Sequence, residues 1–375
     1  MEIAFWVVAG LLAYAQAGYP LLLAALAAGR RESAPATGGE LPGVSLIVAA
    51  YDEAATIADK VGDALALDYP RERLEVVVTC DGCHDDTAER ARAAGADLVL
   101  ENPRGGKVRA QDAAVDRARG EIVAFSDANA RWEPGALRAL VARFADPGVG
   151  YACGQVRFVA ADGGGTNQEG LYWRYEMWIR GLESRLASVT GGNGAIYATR
   201  RDAYLRVDPI MGHDLSFPFN LVKRGWRAVY APEARATERM VPTIEGEFAR
   251  KRRMMSHTWP ILLRGGMLSP RGYPLLYALM IASHRVLRYA TPFLHVAALG
   301  LNVAAVALGA GALYWVTLAA QGLLLAAAAA AGALPARPLL VARYYVLTTA
   351  SPAAGLWDWL RRGTPAGWEP AEGTR

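Results

Sequence analysis

Three aspartates stand where an alternating chain would bring them together. They are Asp52 in Ala50-Tyr51-Asp52-Glu53, Asp81 in Cys80-Asp81-Gly82, and Asp127 in Asp127-Ala128-Asn129. Each follows a short run rich in Val, Ile and other apolar residues, so each lies just past the carboxyl end of an expected strand. A single aspartate in such a place is ordinarily a turn residue or a helix cap. Three of them converging on one crevice repel one another unless a counter-charge sits between them. A divalent cation and a nucleotide would relieve that repulsion. Two further groups could do chemistry. Asp214, in Gly212-His213-Asp214-Leu215, opens a helical pattern, where a His-Asp pair alone reads as a cap. Arg250-Lys251-Arg252-Arg253 is a basic run that suits phosphate or lipid headgroups. The three cysteines, Cys80, Cys83 and Cys153, form neither a disulfide framework nor a second C-x-x-C, so they read as reduced thiols rather than a zinc site.

The elements that must position these groups follow from the apolar pattern. Strands are expected over 44–50, 74–79, 97–100 and 121–126, alternating with helices over 57–67, 86–94 and 108–119. A helix from 214 to 224 and a strand over 227–231 come later. This alternation gives an α/β fold, a mainly parallel Rossmann-like sheet with helices on both faces, whose ligands bind beyond the carboxyl ends of the strands. A nicotinamide site would need a glycine-rich turn after the first strand, and Ala50-Tyr51-Asp52-Glu53 has none. Gly105-Gly106-Lys107 lacks the first glycine of a P-loop.

Hydrophobic residues make up 53% of the 375 and charged residues 20%, an apolar excess for a wholly soluble chain. The excess lies in residues 3–28 and after Tyr273. A net charge of +4 is too small to point to nucleic acid. Residues 3–28 are long enough to span a bilayer and are followed, not preceded, by arginines (Arg30, Arg31). They read as an uncleaved anchor with its N-terminus outside. Two more spans are expected at 291–309 and 313–334, while 339–356 reads equally as a span or an interfacial helix. His284, Arg285 and Arg288 are hard to place in hydrocarbon. Residues 273–288 are therefore expected as a surface amphipathic helix with Leu275, Leu276, Leu279 and Leu287 toward lipid. The layout is an anchor (1–29), a linker (30–43), a catalytic domain (44–240), interface helices (241–288), membrane helices (289–356) and a cytosolic tail (357–375).

The motifs together resemble the family 2 glycosyltransferases of GT-A fold, and their integral-membrane branch of polysaccharide synthases. Val48-Ala49-Ala50-Tyr51-Asp52-Glu53 is similar to the family's opening strand motif, and Asp81-Gly82-Cys83-His84-Asp85-Asp86-Thr87 to its D-G-S-x-D-x-T, with Cys83 in the serine position. Gly106-Lys107 matches its glycine-lysine, and Asp127-Ala128-Asn129 takes the place of D-x-D. Gly191-Gly192-Asn193-Gly194 resembles its acceptor-side segment, Asp214 falls at its catalytic base, and Arg253 matches the arginine of Q-x-x-R-W.

The resemblance implies a nucleotide-sugar donor, in the first instance a UDP-sugar, held by Asp52, Glu53, Asp81, Lys107, Asp127 and Arg253. Asp127 and Asn129 would ligate Mg²⁺ or Mn²⁺, with the neutral amide lowering affinity. Gly192, Asn193 and His213 would face a lipid-linked or polysaccharide acceptor, and membrane lipid would be a partner. The location implied is a bacterial inner membrane with the catalytic domain in the cytosol. Arg250 and Met254 depart from Q-x-x-R-W, and the missing tryptophan favours limited transfer over processive synthesis. A degenerate nucleotide-binding scaffold is a further reading, opposed by the joint presence of Asp52, Asp81, Lys107 and Asp214.

Overall fold

The computed structural model describes residues 1–30, 40–159, 167–239, 241, 243–334 and 336–367, without the side chains of 167–172. Most of the expected linker (31–39) and the tail from 368 onward lie outside the described residues. Among those described, eight strands form one sheet in the order β3-β2-β1-β4-β7-β6-β8-β5. Its parallel half comprises β1 (Val44–Ala50), β2 (Leu74–Asp81), β3 (Leu98–Asn102) and β4 (Ile122–Asp127). β1 and β2 are buried along their whole length, as their mainly apolar sequences require of strands covered on both faces. The register sets Ala49 beside Asp127 and Ala50 beside Cys80, so the strand ends carrying the three aspartates lie level on one edge.

The other half is mixed. β7 (Ile196–Arg200) is antiparallel to β4, and β6 (Val149–Val159) runs antiparallel to β7 and parallel to β8 (Arg227–Arg239). β5 (Arg131–Trp132) pairs with β8. β8 is far longer than the expected 227–231. It passes through Pro232, and its pairing with β6 slips between Cys153 and Gln155, a bulge that accommodates the proline.

Helices α3 (Ile57–Leu65), α4 (Thr87–Ala93) and α5 (Lys107–Arg117) cover the parallel half, and α6 (Ala136–Ala142) packs on β8, β6 and β7. α7 (Asn167–Leu186) and α8 (His213–Lys223) lie on the other half, where Tyr151, Tyr197 and Phe217 are almost fully buried. The sheet is thus a doubly covered, mainly parallel α/β core, as expected from the sequence.

Among the described residues, three helical rods are long and apolar enough to cross a membrane: Glu2–Ala27, Leu275–Ala307 and Ala312–Ala330 (α12). The first joins α1 (Glu2–Ala13) and α2 (Tyr19–Ala27) through a π turn. The second joins α10 (Leu275–Met280) and α11 (Leu287–Ala307) in the same way. Here the structure differs from the separate surface helix expected at 273–288. The chain continues into the span without a break because its charges are paired. Arg288 forms an ion pair with Glu176 of α7, and His284 Nδ1 lies 2.7 Å from Glu183 Oε1. Leu275 and Leu279 do face outward, while Leu276 and Leu287 are half-buried.

The ambiguous segment 339–356 lies within one helix, α13 (Arg337–Arg362), packed on the amphipathic α9 (Ile244–Leu263). Ion pairs Arg252–Asp358 (2.5 Å) and Arg343–Glu245 (2.7 Å) clip the two helices together, and Trp259 Nε1 donates to the Pro352 carbonyl at 2.8 Å in a buried contact. Trp259→Phe keeps an aromatic ring and removes the indole N–H that bonds that carbonyl. The expected outcome is a loss of about 0.5–1.5 kcal/mol, read as a lower thermal midpoint in detergent. An unchanged midpoint would mean that α13 does not depend on this contact to stay docked.

Candidate active site

The carboxyl edge of the parallel strands carries the expected residues, each with a separate donor. Asp52, at the end of β1, has φ +50 and accepts from the His84 amide at 2.7 Å. Asp81, at the end of β2, is 2% exposed, and its carboxylate gathers the amides of Gly105 (2.7 Å) and Gly106 (2.9 Å) and the Arg104 guanidinium (3.0 Å). Asp81 therefore fixes the loop that leads into Lys107. Lys107 opens α5, forms an ion pair with Asp127 at the end of β4, and its Nζ lies 3.5 Å from the Gly194 carbonyl oxygen.

Gly194 lies between Lys107 and Asp214. A side chain placed there would lie 3.8 Å from Lys107 Nζ and 3.9 Å from Asp214 Cβ. Asp214 sits in the first turn of α8, partly exposed, and its carbonyl accepts the Gly192 amide at 2.6 Å. At Gly192 a Cβ would collide with the Tyr151 hydroxyl, so only glycine lets the loop lie this close to the sheet. Asn193 Oδ1 accepts from the Ala195 amide at 3.1 Å, and its buried Nδ2 has no partner among the described residues. Asn129, two residues past Asp127, is partly exposed.

With the crevice laid out, its relatives can be stated. The family model described as glycosyltransferase like family 2 matches residues 42–256, more than half of the chain. The chain belongs to this family. Glycosyltransferase AglE of Haloferax volcanii is 29% identical over 129 residues, covering 33% of this chain and 42% of that protein. An N-acetylglucosaminyltransferase of Mesorhizobium japonicum is 27% identical over 241 residues (58% and 56%). The poly-β-1,6-N-acetyl-D-glucosamine synthase of Staphylococcus aureus is 26% identical over 261 residues (64% and 61%). The chain thus spans about half the length of the curated relatives it matches. Among solved structures, mannosyltransferase PcManGT from Pyrobaculum calidifontis, determined with GDP-Man and Mn²⁺, has a TM-score of 0.71 at 23% identity. That likeness covers 96% of this chain and 99% of the other, and shows a shared GT-A fold.

Two expected site residues of this glycosyltransferase, Glu53 and His213, sit differently from the reading above. Glu53, expected at the donor, is 3% exposed, and its Oε2 accepts from Thr56 Oγ1 at 2.9 Å in the turn leading into α3. His213, expected at the acceptor, is 3% exposed, packs 4.2 Å from the Phe217 ring centroid and pairs through Nδ1 with the Tyr197 hydroxyl at 2.8 Å. Burial, reinforced by the Lys107 charge, lowers its pKa from an ordinary 6.5 to about 3, so it stays a neutral core ring. Arg253 lines a cavity of about 660 Å³ between α9 and α13 with Arg252, Ser256, Asp358 and Arg362.

Other residues at the crevice carry no sequence signal of their own. Arg104 stacks on the Tyr51 ring at 3.4 Å. Buried Lys60 donates to the Ala130 carbonyl at 2.5 Å and steadies the turn that bears Asn129. Its burial lowers its pKa to about 8. Burial and the Asp127 charge push the Glu238 carboxyl up to about 7. His257, near the charges of Arg253 and Asp214, donates from Nδ1 to the Ile210 carbonyl (3.0 Å), so Nδ1 is the protonated nitrogen.

His213 sets a pH dependence. The folded pKa lies below the unfolded one, so its contribution is present above pH 6.5 and is lost as pH falls toward 3. Each unit in that window costs about 1.4 kcal/mol. Between pH 6 and pH 4 the thermal midpoint of the wild type should fall more steeply than that of His213→Phe. Equal slopes would show that the imidazole is protonated in the folded protein.

Proposed function

We propose that this chain is a membrane-bound inverting hexosyltransferase. It moves a sugar from a nucleotide-sugar donor, first choice a UDP-sugar, to a lipid-linked or polysaccharide acceptor. The observation that carries this reading is the meeting of Lys107, paired with Asp127, and Asp214 on either side of Gly194. That spacing leaves a cationic and carboxylate donor side facing a partly exposed carboxylate across one glycine, as a displacement at an anomeric carbon needs.

Asp214 takes the acceptor hydroxyl proton as general base. Lys107 supports the donor phosphates, and Arg253 adds a cation from α9. Asp52 and Asp81 shape the base pocket, with the Tyr51–Arg104 stack as one wall. Asp127 and Asn129 are oxygen donors at a strand end, and Asp127 already faces a cation, so the pair fits Mg²⁺ or Mn²⁺. Such an ion, when bound, would offset charge on the departing nucleoside diphosphate. The neighbour's GDP-Man makes GDP-sugars the second donor class to try. Arg30 after the first span supports a cytosolic catalytic domain. Outward Leu275 and Leu279 support a surface along which a lipid acceptor approaches. Met254, in place of the synthases' tryptophan, offers no ring to stack a growing chain, which supports limited transfer.

Asp214→Asn keeps the shape and removes the proton acceptor. Transfer should fall on the order of 10²–10⁴-fold while nucleoside diphosphate still binds. Transfer near the wild-type rate would remove Asp214 from the chemistry. For the cation, Asn129→Asp should tighten Mn²⁺ binding in the presence of nucleoside diphosphate, and Asp127→Ala should abolish it, both read by calorimetric titration. Affinity unchanged in both variants would reduce the triplet to a strand-end turn.

A further inference from the structure

The polar cluster joining the membrane helices to the catalytic domain has no part in the transfer chemistry above. Glu183 of α7 is fully buried. Its Oε1 accepts from the Tyr19 hydroxyl at 2.6 Å and lies 2.7 Å from His284 Nδ1, and its Oε2 accepts from the Thr190 amide at 3.0 Å. Thr190 Oγ1 also accepts from Arg285 Nε at 2.9 Å. One residue earlier, the Val189 carbonyl accepts from the Tyr277 hydroxyl at 3.0 Å. Tyr19 belongs to the first membrane rod, and Tyr277, His284 and Arg285 to the second.

The Tyr277 and Arg285 bonds end on Val189 and Thr190, the start of the loop that reaches Asp214, and the Tyr19 and His284 contacts reach Thr190 through Glu183. Arg285 lies directly against Gly191. Gly192 then donates to the Asp214 carbonyl at 2.6 Å, and its own carbonyl accepts from Arg180 at 2.8 Å. Elsewhere the joint is apolar, built from Leu23, Ile179, Leu182, Phe219 and Ile281 among others. Buried ions hold helices together no better than well-packed apolar side chains, because both charges must be desolvated. What directional polar contacts add is a fixed geometry. Here they occur where the acceptor-side loop passes.

We propose that Tyr19, His284 and Arg285 are positioning residues, through which the membrane helices hold the 189–194 loop in the place where it meets Asp214. They act through Glu183, Thr190 and the loop backbone. The transfer centre is then complete only while both rods are docked on α7. This inference rests on the reading of Asp214 as the centre of transfer.

The test uses the full chain in detergent. Arg285→Met should raise amide hydrogen exchange in residues 189–194 at least tenfold, with exchange in β1 and affinity for UDP or GDP changed less than twofold. It should lower kcat tenfold or more with donor KM nearly unchanged, and Arg285→Lys should recover part of both effects. Arg343→Met, which removes an ion pair between α9 and α13, should change neither. Unchanged loop exchange in a folded Arg285→Met would overturn the inference, whatever the rate. So would a parallel rise of exchange in β1, which marks general loosening. If Arg285→Met does not fold, Tyr19→Phe, which deletes one hydroxyl, should show the same pattern at two- to fivefold, and its absence there is equally decisive. The exchange readout does not depend on the role of Asp214, so failure of that role and failure of the positioning are separately visible.

Discussion

The architecture is governed by the need to keep several carboxylates close together without mutual repulsion. The level register of β1, β2 and β4 makes this unavoidable, since the strand ends bearing Asp52, Asp81 and Asp127 share one edge. Each charge is met by its own donor. Asp81 is surrounded by two loop amides and a guanidinium, Asp127 faces Lys107, and Asp52 takes a backbone amide. These solutions are coupled in sequence, because the loop captured by Asp81 is the loop that delivers Lys107 to Asp127. A buried carboxylate thus sets the position of a more exposed cation.

The same physics recurs at the membrane side on a larger scale. His284, Arg285 and Arg288 would be costly in hydrocarbon, yet they lie on a rod long enough to cross it. The cost is offset because α7 presents Glu176 and Glu183 at the matching height, and both carboxyls are held below their ordinary range. Burial alone would raise them; for Glu176 Arg288 is the chief opposing charge, and for Glu183 it is His284. A helix that enters a membrane is thereby tied to one on the catalytic sheet.

Much of this was legible in the sequence because it is local. Mainly apolar, β-branched runs marked the parallel strands, and the aspartates after them marked the crevice. What escaped depends on distant or angular facts. The partners of His284 and Arg288 lie about a hundred residues away on a helix with no simple apolar period, so charges alone pointed to a surface helix. Adjacent residues on a helix differ by about 100° in direction, so with Asp214 facing the crevice its neighbour His213 had to turn elsewhere, into the aromatic core. Glu53 was expected at the donor by its place in a motif, whereas the tight turn after β1 folds it under Thr56. The length of β8 was hidden by Pro232, which ordinarily ends a central strand and is tolerated at a bulge.

The neutral side chain of Asn129 fits this charge economy. With a second aspartate there, Lys107 would face two carboxylates and the resting edge would keep a net negative charge. With asparagine, the Lys107–Asp127 pair is neutral by itself. On the proposed reading a bare divalent cation then gains little Coulomb energy from the empty crevice and would have to compete with Lys107 for Asp127. A nucleoside diphosphate changes that balance, since its phosphates draw Lys107 toward themselves and add negative charge beside the vacated carboxylate. Cation and nucleotide are therefore each other's best ligand, and the crevice favours them as a pair over either alone.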